Sequence, residues 1–277
     1  MARWGWRPVF IAAGCASLVW LWPWWRTPRS SAGHRTPTTG DSPSTPTLLR
    51  CRELWSSCVG AYCGAYALYL VVTWLPVYLV KARGFSLAQM ASMGAAVYVL
   101  AAVSGVLTGW VSDWCLARGA SGNCVRKTAL VVAFGGLALC LSLCAWCGHA
   151  GSLLAMAGCG VCLGVKSAAL FNCVQTLGGP TASARWMGVQ NFCANVAGVT
   201  APLITGVMVD RTGSFTAAFA IAAGLAVIGL LAFSLLVRRI EPIDWEAAKA
   251  CAATLRSARF GFRRMSVQAR GHEATPA

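Results

Sequence analysis

Long apolar runs, each near the length of a bilayer and almost free of charge, constrain this chain more than any motif does. Crossing the hydrocarbon core takes roughly 20 apolar residues, and such runs lie at about 8–25, 54–80, 88–110, 128–148, 151–177, 187–209 and 214–237. Inside lipid each backbone must satisfy its own hydrogen bonds, so the runs read as helices. Hydrophobic residues make up 57% of the 277 and charged residues 11%, with a mean hydropathy of +0.61, which excludes a soluble domain of this size. The expected fold class is all-α: a polytopic membrane helical bundle of about seven transmembrane helices.

Lys and Arg concentrate in short cytoplasmic loops, so their positions orient the bundle. Arg26, Arg29, Arg35, Arg50 and Arg52 follow the first run, Arg118, Arg126 and Lys127 the third, Arg185 the fifth, and Arg238 and Arg239 open a basic tail. All follow odd-numbered runs and share one compartment. The other side holds Lys81, Arg83, Arg211, Arg3 and Arg7. The expected arrangement is multi-pass in the plasma (inner) membrane with a cytoplasmic C-terminus. The net charge of +15 is then mostly topology. The tail arginines (Arg256, Arg259, Arg263, Arg264, Arg270) read as a solvated segment near anionic lipid in preference to a nucleic-acid site.

Ala12-Ala13-Gly14-Cys15 is similar to a lipoprotein cleavage box, but the apolar run continues through Trp20, Trp22, Trp24 and Trp25, beyond where a signal region stops. The Pro/Ser/Thr-rich stretch from Arg26 to Leu49 has the composition of a flexible linker.

Several motifs together carry a resemblance: GWRPVFIAAG from Gly5, Tyr66 and Tyr69 with TWLPVYL in the second run, GFSLAQM after it, GWVSD ending in Asp113, QTLGGP from Gln175, RWMGVQNF from Arg185, and APLITG followed by VDRTGSFTAAFAIAA. Over roughly residues 4–245 the chain resembles the C-terminal half of a major facilitator superfamily transporter, in its anion:cation symporter (hexuronate/galactonate-type) branch. The resemblance implies the end of a sixth helix followed by a six-helix facilitator bundle. Residues 1–26 then correspond to the last helix of a truncated N-terminal bundle, 27–52 to a cytoplasmic central linker, 53–238 to the C-terminal six-helix bundle and 239–277 to a basic cytoplasmic tail. It implies carriage of small organic anions such as sugar acids, coupled to protons or another cation, with no bound cofactor. A carrier of about twelve spans exceeds this length, so the reading is of a fragment, partnered by a missing N-terminal half or a second chain.

The segment GWVSDWCLARG reads as a turn in which Gly109 allows close helix approach and Asp113, four residues on, shares its face. Asp113 is a candidate latch to a neighbouring helix N-terminus, with Arg118 behind it. Trp114 stands where the family often has a basic residue.

Pocket residues must be polar, intramembrane and turned inward. Lys166, in mid-span, is a candidate counter-charge for a carboxylate, although the family pattern is not basic there; the competing reading is a lysine that snorkels or only packs. Gln175, Gln190 and Asn191, with Asn172 and Asn195, are candidate neutral partners for hydroxyl-rich acids or glue between helices. Gln175 and Asn191 match the family. Tyr62, Tyr66 and Tyr69 recur at helical spacing on one face; Tyr66 and Tyr69 match the family, and Ala65 stands where it has Asn. Pro76 is expected to bend that helix near its outer end.

Cys144-x-x-Cys147 has ligand-like spacing, but it lies in an apolar run without a second such pair, so the fourteen cysteines read as small apolar residues and no metal site is expected. An enzyme is disfavoured, because His34, His149 and His272 fall in loops or tail and no span carries an acid after Glu53. The alternative to a carrier is a non-transporting half-carrier or membrane scaffold acting with a partner chain.

Overall fold

A computed structural model describes residues 5, 7–26, 42–237 and 239–245. Two compact units divide the chain, Met1–Thr38 and Thr39–Ala277. In the first, α1 (Arg7–Leu18) and α2 (Leu21–Arg26) bury no residue of their own. Much of the expected linker (residues 27–41) and of the basic tail (residues 246–277) lies outside the described residues, as does Arg238.

The second unit holds α3 (Thr45–Leu49), α4 (Arg52–Val77), α5 (Leu87–Ala117), α6 (Gly122–Trp146), α7 (His149–Thr212) and α8 (Thr216–Leu231). Among the described residues six helical segments are long and apolar enough to cross a membrane, the longest running from Ala150 to Thr212. The chain is an all-helical, multi-pass bundle.

The longest helix is two crossings joined by one residue. Gly179 takes φ +60°, the left-handed region that favours glycine, and Pro180 begins the next stretch, where a missing N–H costs nothing. The sequence suggests a loop between 177 and 187, but residues 180–186 are helical and the reversal is confined to Gly179. Limb 149–178 runs antiparallel to α4: its start shares a core with Leu75 and Tyr78 through Met156, and its end with Leu54 and Cys58 through Leu177. Limb 180–212 runs parallel to α4, with Trp186 beside Ser57 and Gly206 beside Trp74.

Two further differences from the sequence reading have local causes. The segment GWVSDWCLA is the last part of α5, not a turn; the helix ends only at Arg118, ahead of Gly119 at φ +84°. Past Pro76 the chain stays helical but widens into a π-helical turn, Tyr78–Ala82, since proline removes a donor and perturbs the ladder behind it.

Arg83, expected only as a loop charge, ties this end together. Its Nε donates to the Tyr78 hydroxyl at 2.7 Å and its Nη2 to the carbonyls of Cys144 and Cys147 at 3.3 and 2.9 Å, which occupies carbonyls that α6 leaves open at its C-terminus. At the other end the chain after α8 folds back: the Ile243 N–H donates to Leu177 O at 3.2 Å and the Trp245 indole to Gly178 O at 3.0 Å, capping limb 149–178.

Candidate functional site: a cleft between three helices

A cleft of about 240 Å³ opens between α4 and the two limbs of α7. Helical spacing builds each wall. From α4 come Ala61, Ala65, Leu68 and Tyr69; from limb 149–178 Lys166, Ser167, Leu170 and Phe171; from limb 180–212 Met187, Gln190, Asn191, Ala194 and Asn195. Ala65 faces the cleft, so its wall is apolar there.

Lys166 is the one charged residue in this lining. It is 6% exposed and forms no ion pair or hydrogen bond with the described residues. Its stem lies flat against Gly64 on α4, which a side chain there would obstruct; the Nζ sits 3.2 Å from where a Cβ on Gly64 would stand. An isolated ammonium held away from water is costly, and such groups inside membranes mark functional pathways.

Gln190, 7% exposed, adds an unmet demand, because its Oε1 is buried without a hydrogen-bond partner. A buried acceptor left unpaired costs about 1–3 kcal/mol. Asn195 is already engaged: its Nδ2 donates to Asn191 O at 2.8 Å and its Oδ1 accepts from the Tyr69 hydroxyl at 3.1 Å. The Asn191 side chain is exposed at the cleft. The cleft thus offers one cation, one open amide and largely apolar walls, with the unpaired Gln190 Oε1 buried behind its surface. Its chemistry suits a small anion with hydroxyl groups.

Tyr66 and Gln175 stand apart from these walls. Tyr66 is 0% exposed in the α4 core, one ring from Tyr62 at 6.4 Å between centroids, and its hydroxyl finds no partner, like Thr205 Oγ1. The tyrosine spacing of four and three covers more than one face once α4 is packed on both sides, and Tyr62 bonds Thr200 at 2.9 Å. Gln175 is exposed away from the cleft. Gly109 and Asp113 lie on the last turns of α5, where Asp113 is exposed and makes no ion pair with the described residues. Arg118 stacks over the Trp114 ring at 3.8 Å, one turn apart.

Sequence reasoning missed Ser167, Phe171 and Met187 at the cleft, and Gly64 against the Lys166 stem. The i, i+1, i+4, i+5 spacing of Lys166, Ser167, Leu170 and Phe171 is the signal that was available.

A family model described as Major Facilitator Superfamily matches residues 1–183. The chain belongs to the Major Facilitator Superfamily. Among relatives of this facilitator chain, the probable galactarate/D-glucarate transporter of Escherichia coli (strain K12) is 30% identical over 205 residues, 71% of this chain and 44% of that protein. The probable sulfoacetate transporter of Cupriavidus necator is 27% identical over 89% of this chain and 61% of its own length. The hexuronate transporter of Bacillus subtilis (strain 168) is 25% identical over 86% and 58%. The facilitator chain therefore spans about half the length of these relatives, between 44% and 61%. Among solved structures, the crystal structure of peptide transporter POT in complex with sulfate aligns with a TM-score of 0.59 at 14% identity, over 86% of this chain and 50% of that one. That likeness establishes the fold.

Proposed function

We propose that the chain supplies one wall of a secondary transporter for small organic anions of the sugar-acid type, with Lys166 as the counter-charge for the substrate carboxylate. The observation that carries this reading is the lone buried ammonium facing a cleft whose other lining is neutral. An anion entering the cleft would relieve the cost of that charge, and its hydroxyls would meet the Asn191 amide. Relatives named as transporters of galactarate, D-glucarate and hexuronate support the substrate class.

In this reading a second bundle faces the cleft and closes it, and transport alternates the access of the cleft between the two sides. Residues 53–238 form the working bundle in the inner membrane of the cell, and 239–277 its cytoplasmic tail. Uptake is coupled to a proton or another cation. Asp113 and Arg118 serve the gate at the end of α5.

The test is binding to the full chain in lipid nanodiscs, with D-galactonate as the anion and D-galactose as its neutral counterpart. D-galactonate raises Tm and D-galactose does not; at a hundred times Kd the gain is about 2.7 kcal/mol. Lys166→Ala removes the difference, weakening D-galactonate roughly 100-fold or more, since a desolvated charge pair loses several kcal/mol when one partner goes. Equal response to acid and sugar, or an unchanged affinity in Lys166→Ala, rules the reading out. Asn191→Ala is expected to weaken D-galactonate about three- to tenfold at unchanged Tm of the ligand-free chain, as one hydrogen bond is worth; isothermal titration measures it, and unchanged affinity removes Asn191 from the site.

A further inference from the structure

We infer that Gly64 is a positioning residue for the Lys166 ammonium: the bare backbone of α4 at this point sets where the charge stands in the cleft. This rests on the functional reading above and adds a residue to it.

Lys166 reaches the cleft across α4, and its Cδ, Cε and Nζ all lie over Gly64. A Cβ on Gly64 would stand 3.3 Å from Cε and 3.2 Å from Nζ, and it would overlap Cδ outright. Limb 149–178 cannot back away from α4, because α5 is packed on its far side: the Ser104 hydroxyl of α5 donates to Val161 O at 2.9 Å, and the backbone of Gly164 lies in contact with α5, so it is the flexible lysine stem that shifts. The cleft that Lys166 lines gives a displaced stem room to move. Alanine at 64 therefore moves the ammonium, while the flanks of Gly64 on α4, Cys63 and Ala65, keep their packing.

Gly64 also explains how a long cationic side chain sits at mid-bundle without distorting the helix pair. Beside it, Gly60 receives the Phe233 ring in the same manner, so α4 carries two glycine notches one turn apart, each filled by a side chain of a different partner. The first notch takes an apolar ring, and the second takes a charge that borders the cleft.

Four versions of the full chain test this: wild type, Gly64→Ala, Lys166→Ala and the double variant, each in nanodiscs, read by Tm and by D-galactonate affinity. Gly64→Ala lowers Tm when Lys166 is present and leaves it unchanged in the Lys166→Ala background, where the overlapping atoms are gone; such non-additivity marks direct contact. In the wild-type background Gly64→Ala also weakens D-galactonate about tenfold or more, as displacement of a positioned charge by an ångström does, and in the Lys166→Ala background it has no effect on the residual binding. If Gly64→Ala yields too little folded protein to titrate, recovery of folding in the double variant carries the same information. Equal losses of Tm in both backgrounds overturn the inference, as does unchanged D-galactonate affinity in Gly64→Ala. The functional reading fails separately, through an unchanged affinity in Lys166→Ala alone.

Discussion

Gly164→Ala is expected to lower Tm by about 10 °C or to leave no folded bundle, the largest effect of a methyl group added at any of the described glycines. A Cβ there would stand 2.9 Å from the Ala101 carbonyl carbon and overlap both the Ala101 oxygen and Ser104 Oγ. The neighbours are backbone and a hydroxyl already engaged with Val161 O, so no flexible side chain is free to give way. One turn earlier a Cβ on Gly160 would stand 2.6 Å from Val97 O. These two glycines form the crossing of limb 149–178 with α5, where close backbone approach replaces the hydrophobic drive that lipid does not supply. Overpacking costs typically about 1–3 kcal/mol when side chains relieve it; here whole helices must part, so a cost above about 3 kcal/mol is expected, at about 2–4 °C for each kcal/mol in a chain of this size. Gly94→Ala on α5 is the control, since nothing lies within 4 Å of its Cβ, and it is expected to hold or raise Tm by helix propensity. A Tm for Gly164→Ala within a degree or two of the parent shows that the crossing is loose.

Trp186→Ala is expected to cost about 3–5 kcal/mol, the usual range for a fully buried aromatic residue. Trp186 is 0% exposed, donates its indole N–H to Ser57 Oγ at 2.8 Å and meets the Trp245 ring edge-on at 6.3 Å between centroids. It joins α4, limb 180–212 and the chain that returns after α8, so truncation opens a cavity among three elements at once. Trp186→Phe separates the causes: it retains most of the volume, loses the hydrogen bond and is expected to cost about 1–2 kcal/mol. Thermal melts of both variants in nanodiscs check this, and equal losses would assign the effect to the hydrogen bond alone.

Both positions show where sequence reading stopped. Gly164 stands four residues after Gly160, a spacing of small residues suited to close helix packing, but which carbonyl it meets depends on how α5 crosses the limb. Trp186 follows Arg185 near the start of an apolar run, where an interfacial tryptophan is ordinary; its burial arises because the segment ending at Trp245 folds back over it. Lys166 was legible because charge in mid-span is rare, and Gln190 and Asn191 because amides in lipid need partners. Tyr66 was grouped with Tyr69 by a period that identifies a shared helix face, yet α4 is packed on several sides, so one tyrosine enters the core and the other the cleft. Gly64 carried no signal, since a notch has meaning only opposite the side chain that fills it.

The sequence by itself determined that the chain is a multi-pass bundle of helices, roughly where each crosses, and which few polar groups the lipid-facing economy leaves unexplained. Those follow from local facts: lipid forbids unpaired backbone and penalises charge wherever it falls along the chain. Only the tertiary structure decided that Lys166, Gln190 and Asn191 share one cleft, that Gln175 and Tyr66 lie outside it, and that residues 177–187 reverse at a single glycine. Helix rotation and crossing set those outcomes, and both depend on how notches and side chains far apart in sequence interlock.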